Sequence, residues 1–253
     1  MDLPKKFKNF WVLKMKVEGP IIVNGKRPDG RRAEETREIE MRINIVPNAN
    51  GSSLVRFGKT TIVCSVYGPK MLFPKHLQDP EKGTLRVRYN MAPFSVDERK
   101  PPSPSRRSIE LSKIIRIAVI PSIFLKDFPR SGLDIFVEVL QADGSTRVSG
   151  INAASLALAS AGIPMKDLVT ACSVGKVDET LIVDLNGIED NNCQADISFA
   201  MMVSKNKITL LQMDGLLTKE EILQLLKMAK ETCKKIYEIQ KKTLKNYYEE
   251  LVR

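Results

Sequence analysis

Apolar and polar positions alternate with a period of two along several short stretches of the chain, the spacing of half-buried β-strands. Ile39 to Ile45, Ser53 to Phe57 and Thr60 to Tyr67 read as strands separated by hairpin-type connections at Asn48-Ala49-Asn50-Gly51 and Gly58-Lys59. Leu85 to Met91 alternates as well, with its basic residues on one face, and Leu133 to Leu140 is a fifth such run. Further strands are expected at 169–175, 180–185, 195–203 and 207–213. The period changes between them. After a loop at 97–105 carrying Pro101, Pro102 and Pro104, a helix is expected from Ser105 to about Ile120, with Ile109, Leu111, Ile114, Ile115, Ala118 and Val119 on its apolar face. Small residues from Ala153 to Ala161 read as a second helix, stopped by Gly162-Ile163-Pro164. Thr218-Lys219-Glu220-Glu221 is a capping box that launches a last helix with a stripe of Ile222, Leu225, Leu226, Ala229, Cys233, Ile236 and Tyr237. Strands punctuated by helices, with no break in composition, predict one α+β domain.

Composition changes this picture mainly through charge. The 253 residues carry 40 Lys+Arg against 30 Asp+Glu, a net charge of +10, which favours a polyanionic partner such as nucleic acid. Four scattered cysteines without a CxxC pair, and one histidine (His76), argue against a zinc site built from Cys and His. Cys64, Cys172 and Cys233 sit among apolar residues as expected of buried thiols in a reducing compartment. No apolar stretch is long enough to span a membrane and no signal peptide is visible, so a soluble cytoplasmic protein is expected.

Two polar runs carry the candidate chemistry. Gly144-Ser145-Thr146-Arg147 follows a strand and leads into a helix. Small residues at a helix N-terminus let backbone amides approach an anion, hydroxyls add donors, and an arginine can grip two phosphate oxygens. The plainer alternative is a strand-to-helix turn with Thr146 as N-cap. The second run places Asp190 and Asp196 six residues apart. Cleaving a P–O bond requires a proton for the leaving oxygen, which a carboxylic acid can supply, and two carboxylates can share Mg²⁺ or Mn²⁺. Glu189-Asp190-Asn191-Asn192 can equally be an acidic turn, whereas Asp196 opens an apolar strand where an acid has little structural reason to be. Between Lys70 and Arg107 nine basic residues face four acids. Arg106 and Arg107 open a helix against the preference of its dipole, which suggests RNA phosphates as their partner. Lys82, Arg99 and Lys100 read as solubilising charge, and His76 as a loop residue.

Taken together, Arg27-Pro28-Asp29-Gly30-Arg31, Leu85-Arg86-Val87-Arg88-Tyr89, Pro104-Ser105-Arg106-Arg107-Ser108-Ile109-Glu110, the run through Arg147, and Ala195-Asp196 resemble the RNase PH family, and more narrowly the catalytic ring subunits of archaeal exosomes. The resemblance is colinear over about residues 18–250, leaving residues 1–17 as a basic N-terminal extension before an RNase PH-like domain at 18–253, whose last helix spans about 218–250.

It implies a ribosomal protein S5 domain 2-like β-α-β fold and phosphorolytic 3′-to-5′ degradation of single-stranded RNA to nucleoside diphosphates, reversible to 3′ tail synthesis. It also implies an alternating six-membered ring with an inactive paralogue, topped by RNA-binding cap subunits. Inorganic phosphate is then a co-substrate and Mg²⁺ or Mn²⁺ an expected cofactor. By resemblance, Gly144, Ser145, Thr146 and Arg147 hold the phosphate, Asp190 is the general acid, and Asp196 assists or holds the metal with it. Arg106, Arg107, Lys75, Arg86 and Arg88 contact RNA, Lys75 at the neck of the channel. Ser145 stands where many members have glycine, Cys193-Gln194 where a Gly-Glu is common, and Ser198 where proline is frequent. A homohexameric tRNA-trimming enzyme and a non-catalytic RNA-binding ring subunit are the competing readings.

Overall fold

A computed structural model describes residues 19–22 and 25–252, so the basic extension at 1–17 lies outside the described residues. Two sheets and four helices account for most of it. The first sheet contains β1 (Ile39–Ile43), β2 (Gly51–Phe57), β3 (Thr60–Met71), β4 (Thr84–Met91) and β5 (Ser131–Gln141), in the order β1-β2-β3-β5-β4. Its pairs are antiparallel except β4–β5, which is parallel because helix α1 (Arg106–Val119) forms the crossover between them. The second sheet is fully antiparallel, ordered β7-β6-β8-β9, from β6 (Val169–Val177), β7 (Thr180–Val183), β8 (Ala195–Met202) and β9 (Lys207–Gly215).

Helix α2 (Thr146–Ser160) connects the sheets and contacts β2, β3 and β5 of one and β6 and β8 of the other. All its residues except Arg147 and Ala159 are buried, which explains its composition: Arg147 is its one charged residue, and small side chains between Ile151, Leu156 and Leu158 let two sheets close on one helix. Gly51 of β2 shows how tight this is, because a Cβ there would lie 2.2 Å from the Ala161 backbone nitrogen. Helix α4 (Lys219–Val252) packs against β6, β7 and β8 and also reaches β1. Its predicted capping box is formed, with Glu221 N–H donating to Thr218 Oγ1 at 3.3 Å and Thr218 N–H to Glu221 Oε2 at 2.8 Å. One main hydrophobic cluster runs from Phe57 and Ile62 in the first sheet through Ile151 and Leu156 to Phe199 and Ile236.

Three details depart from the sequence reading. Helix α2 starts at Thr146, well before the alanine-rich run, and its N-cap is Ser145 in the left-handed conformation (φ 56°), not Thr146. The acidic run at 187–192 is not a turn but a short helix, α3 (Gly187–Asn192), capped by Asn186. Ile109 does not join the apolar face of α1; it is 66% exposed, and Ser108 is buried in its place because its hydroxyl closes the helix cap with Ser105. Cys64, Cys172 and Cys233 are buried free thiols, as expected. No described helix is long and apolar enough to cross a membrane.

Candidate active site

The turn at 142–147, between β5 and α2, is held in place from several directions. Thr60 on β3 donates its hydroxyl to the Gly144 carbonyl and accepts the Asp143 N–H, each at 2.9 Å. Gly144 has φ +71°, and a Cβ there would sit 2.6 Å from the carbonyl carbon of Asn186. A glycine is therefore required on two counts, backbone conformation and close approach. The consequence is functional. The expected phosphate cradle lies directly against Asn186, the N-cap of α3, the helix that carries Asp190.

Ser145 points inward. Its hydroxyl donates to the Leu185 carbonyl at 2.7 Å and pairs with Ser173 Oγ at 2.7 Å. Those bonds occupy it, so it is not the free phosphate donor that the sequence led us to expect; Ser145 can serve an anion only through its backbone. The left-handed turn is the reason, since it directs this side chain into the protein. Alternate residues of β6 divide the work on either side of the second sheet: Ser173 binds this turn, while Cys172 Sγ meets the Ala229 carbonyl of α4. Thr146, the first residue of α2, has a buried hydroxyl without a partner among the described residues. Arg147 extends toward β8, where Nη1 donates to Ser198 Oγ at 3.0 Å, and Nη2 lies 3.9 Å from Glu110 of α1. Its Nε–H is buried and has no partner among the described residues.

Asp190 is aimed by buried ionic scaffolding that the sequence reading missed. Asn186 Oδ1 accepts the N–H groups of Ile188 and Glu189, each at 3.0 Å, and Glu189 Oε2 accepts the Asn186 N–H at 2.9 Å. Arg27 then grips the Glu189 carboxylate, Nε to Oε1 at 2.7 Å, while its remaining donors bond the carbonyls of Val183, Asp184 and Glu35. Arg37 does the same to Asp184, at 2.9 and 2.7 Å, and also donates to the Asp143 carbonyl beside the cradle. A signal for part of this was present: Asn186-Gly187-Ile188-Glu189 has the spacing of a capping box.

Both acids are displaced toward the protonated form. Burial pushes the Asp190 carboxyl up, opposed by the positive charges of Arg107, Arg147 and Arg37. Burial also raises Asp196, and the negative charges of Asp190 and Asp214 add to it, against Arg147. The register explains the second acid: Asp196 on β8 stands directly opposite Asp214 on β9, so both side chains project from one face. A carboxyl biased toward protonation beside arginines suits a proton donor in a site that handles phosphates. The carboxylates are also hard oxygen donors. Mg²⁺ commonly binds through one or two carboxylates plus phosphate oxygens and keeps several waters, so Asp190 and Asp196 fit it. No group of three or more His, Cys, Asp or Glu converges among the described residues to hold a metal by protein ligands alone.

The expected RNA contacts separate into two places. Arg107 is close enough to act electrostatically on Asp190, and Arg106 is exposed beside it at the start of α1. Arg86 instead pairs with Asp134, at 2.6 and 2.7 Å, and Lys70 adds a third charge at 3.0 Å. Asp134 precedes the end of β5 by seven residues, which puts that cluster about 23 Å along the strand from the cradle. Arg88 is exposed on β4 opposite Phe136. Lys75 is exposed in a single turn (Lys75–Leu77) after β3. These three do not join the acids.

Known proteins match this architecture. Residues 35–164 match domain 1 of the 3′ exoribonuclease family (RNase PH), and residues 167–232 match its domain 2. The exosome complex component Rrp41 of Pyrococcus furiosus is 55% identical over 236 residues, covering 92% of this chain and 94% of the relative. The Rrp41 protein of Pyrobaculum calidifontis is 50% identical over 230 residues, covering 90% and 94%. Among solved structures, rice Rrp46 superposes with a TM-score of 0.77 at 23% identity, covering 86% of this chain and 100% of that one. A chain of the Archaeoglobus fulgidus exosome, solved with RNA bound to the active site, superposes with a TM-score of 0.75 at 23% identity over 84% and 92%. At that identity the two structures speak for the fold.

Proposed function

The chain belongs to the 3′ exoribonuclease family, and we propose from that premise that it is the catalytic subunit of an exosome ring, shortening single-stranded RNA by phosphorolysis. The observation that carries this reading is the convergence of Asp190 and Asp196, both raised toward protonation, on Arg147 at the N-terminus of α2, with Arg107 at the start of α1 acting on Asp190 as well. Inorganic phosphate, held by Arg147, Thr146 and the backbone at Gly144–Ser145, attacks the terminal phosphodiester of the RNA. A new P–O bond forms, the bond to the 3′ oxygen breaks, and Asp190 delivers its proton to that oxygen. The products are a nucleoside diphosphate and an RNA one residue shorter. Arg107 and Arg147 neutralise two phosphates brought together, which is the main electrostatic obstacle. Mg²⁺ or Mn²⁺ would be held by the Asp196 carboxylate together with phosphate oxygens and would supply further charge neutralisation, leaving Asp190 to carry the proton. Because the nucleophile is phosphate, no activated serine or cysteine is needed.

The relatives named as exosome components support RNA and exosome subunits as partners. We place the chain in an alternating six-membered ring with an inactive RNase PH-like paralogue and RNA-binding caps. A homohexamer is the second reading. A purely structural subunit would have no use for two half-buried acids whose surroundings disfavour their ionised forms. The test is turnover of single-stranded RNA by the chain alone and by the chain mixed with its paralogue, with products separated by chromatography. Nucleoside diphosphates formed only in the mixture support the ring; diphosphates from the chain alone support the homohexamer. Monophosphates, or no product in either case, overturn the proposal.

A further inference from the structure

Tyr89 is the largest polar side chain among the fully buried ones, 2% exposed on β4, and its hydroxyl completes no hydrogen bond among the described residues. Burying a phenol without a partner is costly, so a native structure that does so invites a functional explanation. The position supplies one. The phenol is directed toward the Thr146 side chain without completing a hydrogen bond to it. The Thr146 hydroxyl is likewise buried without a partner among the described residues, and Arg107 and Arg147 are close enough to act on the phenol. Its backbone is fixed independently, by the parallel pairing with Val137 and by a 2.9 Å bond from Tyr89 N–H to Ser112 Oγ of α1. Apolar packing beneath α1 accounts for the ring; nothing in that packing accounts for the hydroxyl.

We propose that Tyr89 is a positioning residue for the phosphate site, acting through Thr146. Thr146 is at the first helical position, next to Arg147, whose Nε–H is also buried with no partner among the described residues. A hydroxyl has one proton and accepts through its lone pairs. If the phenol O–H donates to Thr146 Oγ1, the threonine rotor is fixed with its own proton directed away from Tyr89 and toward an acceptor. A phosphate oxygen seated on Arg147 is that acceptor. The polarity is then phenol to threonine to anion, with every proton used once. A phenylalanine would fill the same space and leave the threonine free to rotate. This inference rests on the phosphorolytic reading above, so its test needs a readout of phosphate binding that does not depend on turnover.

The experiment compares wild type, Tyr89→Phe, Thr146→Val and the double variant, each in the assembled complex. It measures KM for phosphate, kcat at saturating phosphate, RNA affinity, and the rise in Tm produced by inorganic phosphate. Losing one orienting hydrogen bond corresponds to a roughly three- to ten-fold higher KM for phosphate in Tyr89→Phe, with kcat and RNA affinity unchanged and a smaller phosphate-induced Tm shift. In the Thr146→Val background, Tyr89→Phe should have no further effect. An unchanged KM and Tm shift in Tyr89→Phe overturns the proposal, as does an effect of equal size with and without the Thr146 hydroxyl. If phosphate stabilises the wild type without driving turnover, the phosphorolytic reading falls while the Tm shifts still decide the role of Tyr89. A phosphate-free Tm for each variant, with Thr146→Ser retaining the hydroxyl, separates misfolding from misplacement.

Discussion

Arg27 holds the carboxylate of Glu189, the residue immediately before Asp190, and both side chains are essentially inaccessible to water. The helix that carries the proposed general acid is thus held from below by a charge pair shut away from solvent. Arg27 belongs to a segment more than 150 residues away in sequence, joined to the acid helix only by the fold. Removing one partner of such a pair strands a buried charge. Glu189→Gln and Arg27→Met should each lower stability by about 3–5 kcal/mol, and a double apolar replacement should recover much of that. Urea denaturation of the three variants checks this; a loss below about 1 kcal/mol in both single variants would contradict it.

Stability and pH are linked through the two acids. Asp190 and Asp196 are raised above the ordinary carboxyl value of 3.8, so the folded chain holds these protons more tightly than the unfolded one. Stability contributed by the pair is therefore present in acid and lost as pH rises through the folded values. At pH 7 both carboxylates are a net cost. Asp196→Asn should be more stable than wild type at pH 7, and the difference should shrink as pH falls toward 4. A variant less stable than wild type at pH 7 would show that Asp196 is held by compensating interactions instead.

Ser145 offers a test of conformation against hydrogen bonding. It occupies the left-handed region, where a side chain costs roughly 1–2 kcal/mol relative to glycine, and its hydroxyl bonds the Leu185 carbonyl. Ser145→Ala keeps the strain and loses the bond, for an expected destabilisation of about 1–3 kcal/mol. Ser145→Gly loses the same bond but relieves the strain and should lie close to wild type. Equal losses in the two variants would remove the conformational account. Because the hydroxyl faces inward, neither change should weaken phosphate binding more than about two-fold.

Ser198 gives the guanidinium of Arg147 a fixed rest. Ser198→Ala should raise KM for phosphate by about three- to ten-fold with RNA affinity intact, since it frees the fork without removing its charge. An unchanged KM would mean that Glu110 and the anion suffice to place it.

Salt dependence distinguishes the two basic regions. An arginine that releases a counterion from single-stranded RNA contributes about −0.7 to the slope of log affinity against log salt. Arg107→Ala should reduce the slope by about that amount. Arg86 is held by the Asp134 carboxylate, which it shares with Lys70, so Arg86→Ala should change it by less. The reverse order would move the RNA path onto the face of β4.

Most strands of the first sheet, the crossover helix and the long last helix were legible because each buries one face, and that leaves a period in the sequence; β6 and β8 are buried on both faces and showed instead as short runs poor in charge. Helix α2 was legible only in its alanine-rich part: a helix buried on all sides has no polar face, so its start at Thr146 had to come from the turn that precedes it. Ile109 was misplaced because periodicity does not reveal that the Ser105–Ser108 cap takes the inward position. Both acids and Arg147 could be found from residue type and from the RNase PH resemblance. The buried pairings of Arg27 with Glu189 and of Arg37 with Asp184 could not, because the partners lie across the fold and a charge in sequence does not announce its burial. Tyr89 read simply as an apolar strand position; only the buried, unpartnered hydroxyl set it apart.

The central claim is that Asp190 and the cradle at Arg147 carry out phosphorolysis. It is tested most directly by titrating inorganic phosphate into the assembled complex with 5′-labelled single-stranded RNA and Mg²⁺, using wild type and Asp190→Asn. Shortening that saturates with phosphate, releases nucleoside diphosphates and collapses in Asp190→Asn while RNA remains bound is the predicted result. Shortening that is indifferent to phosphate, or that continues near the wild-type rate in Asp190→Asn, would contradict it.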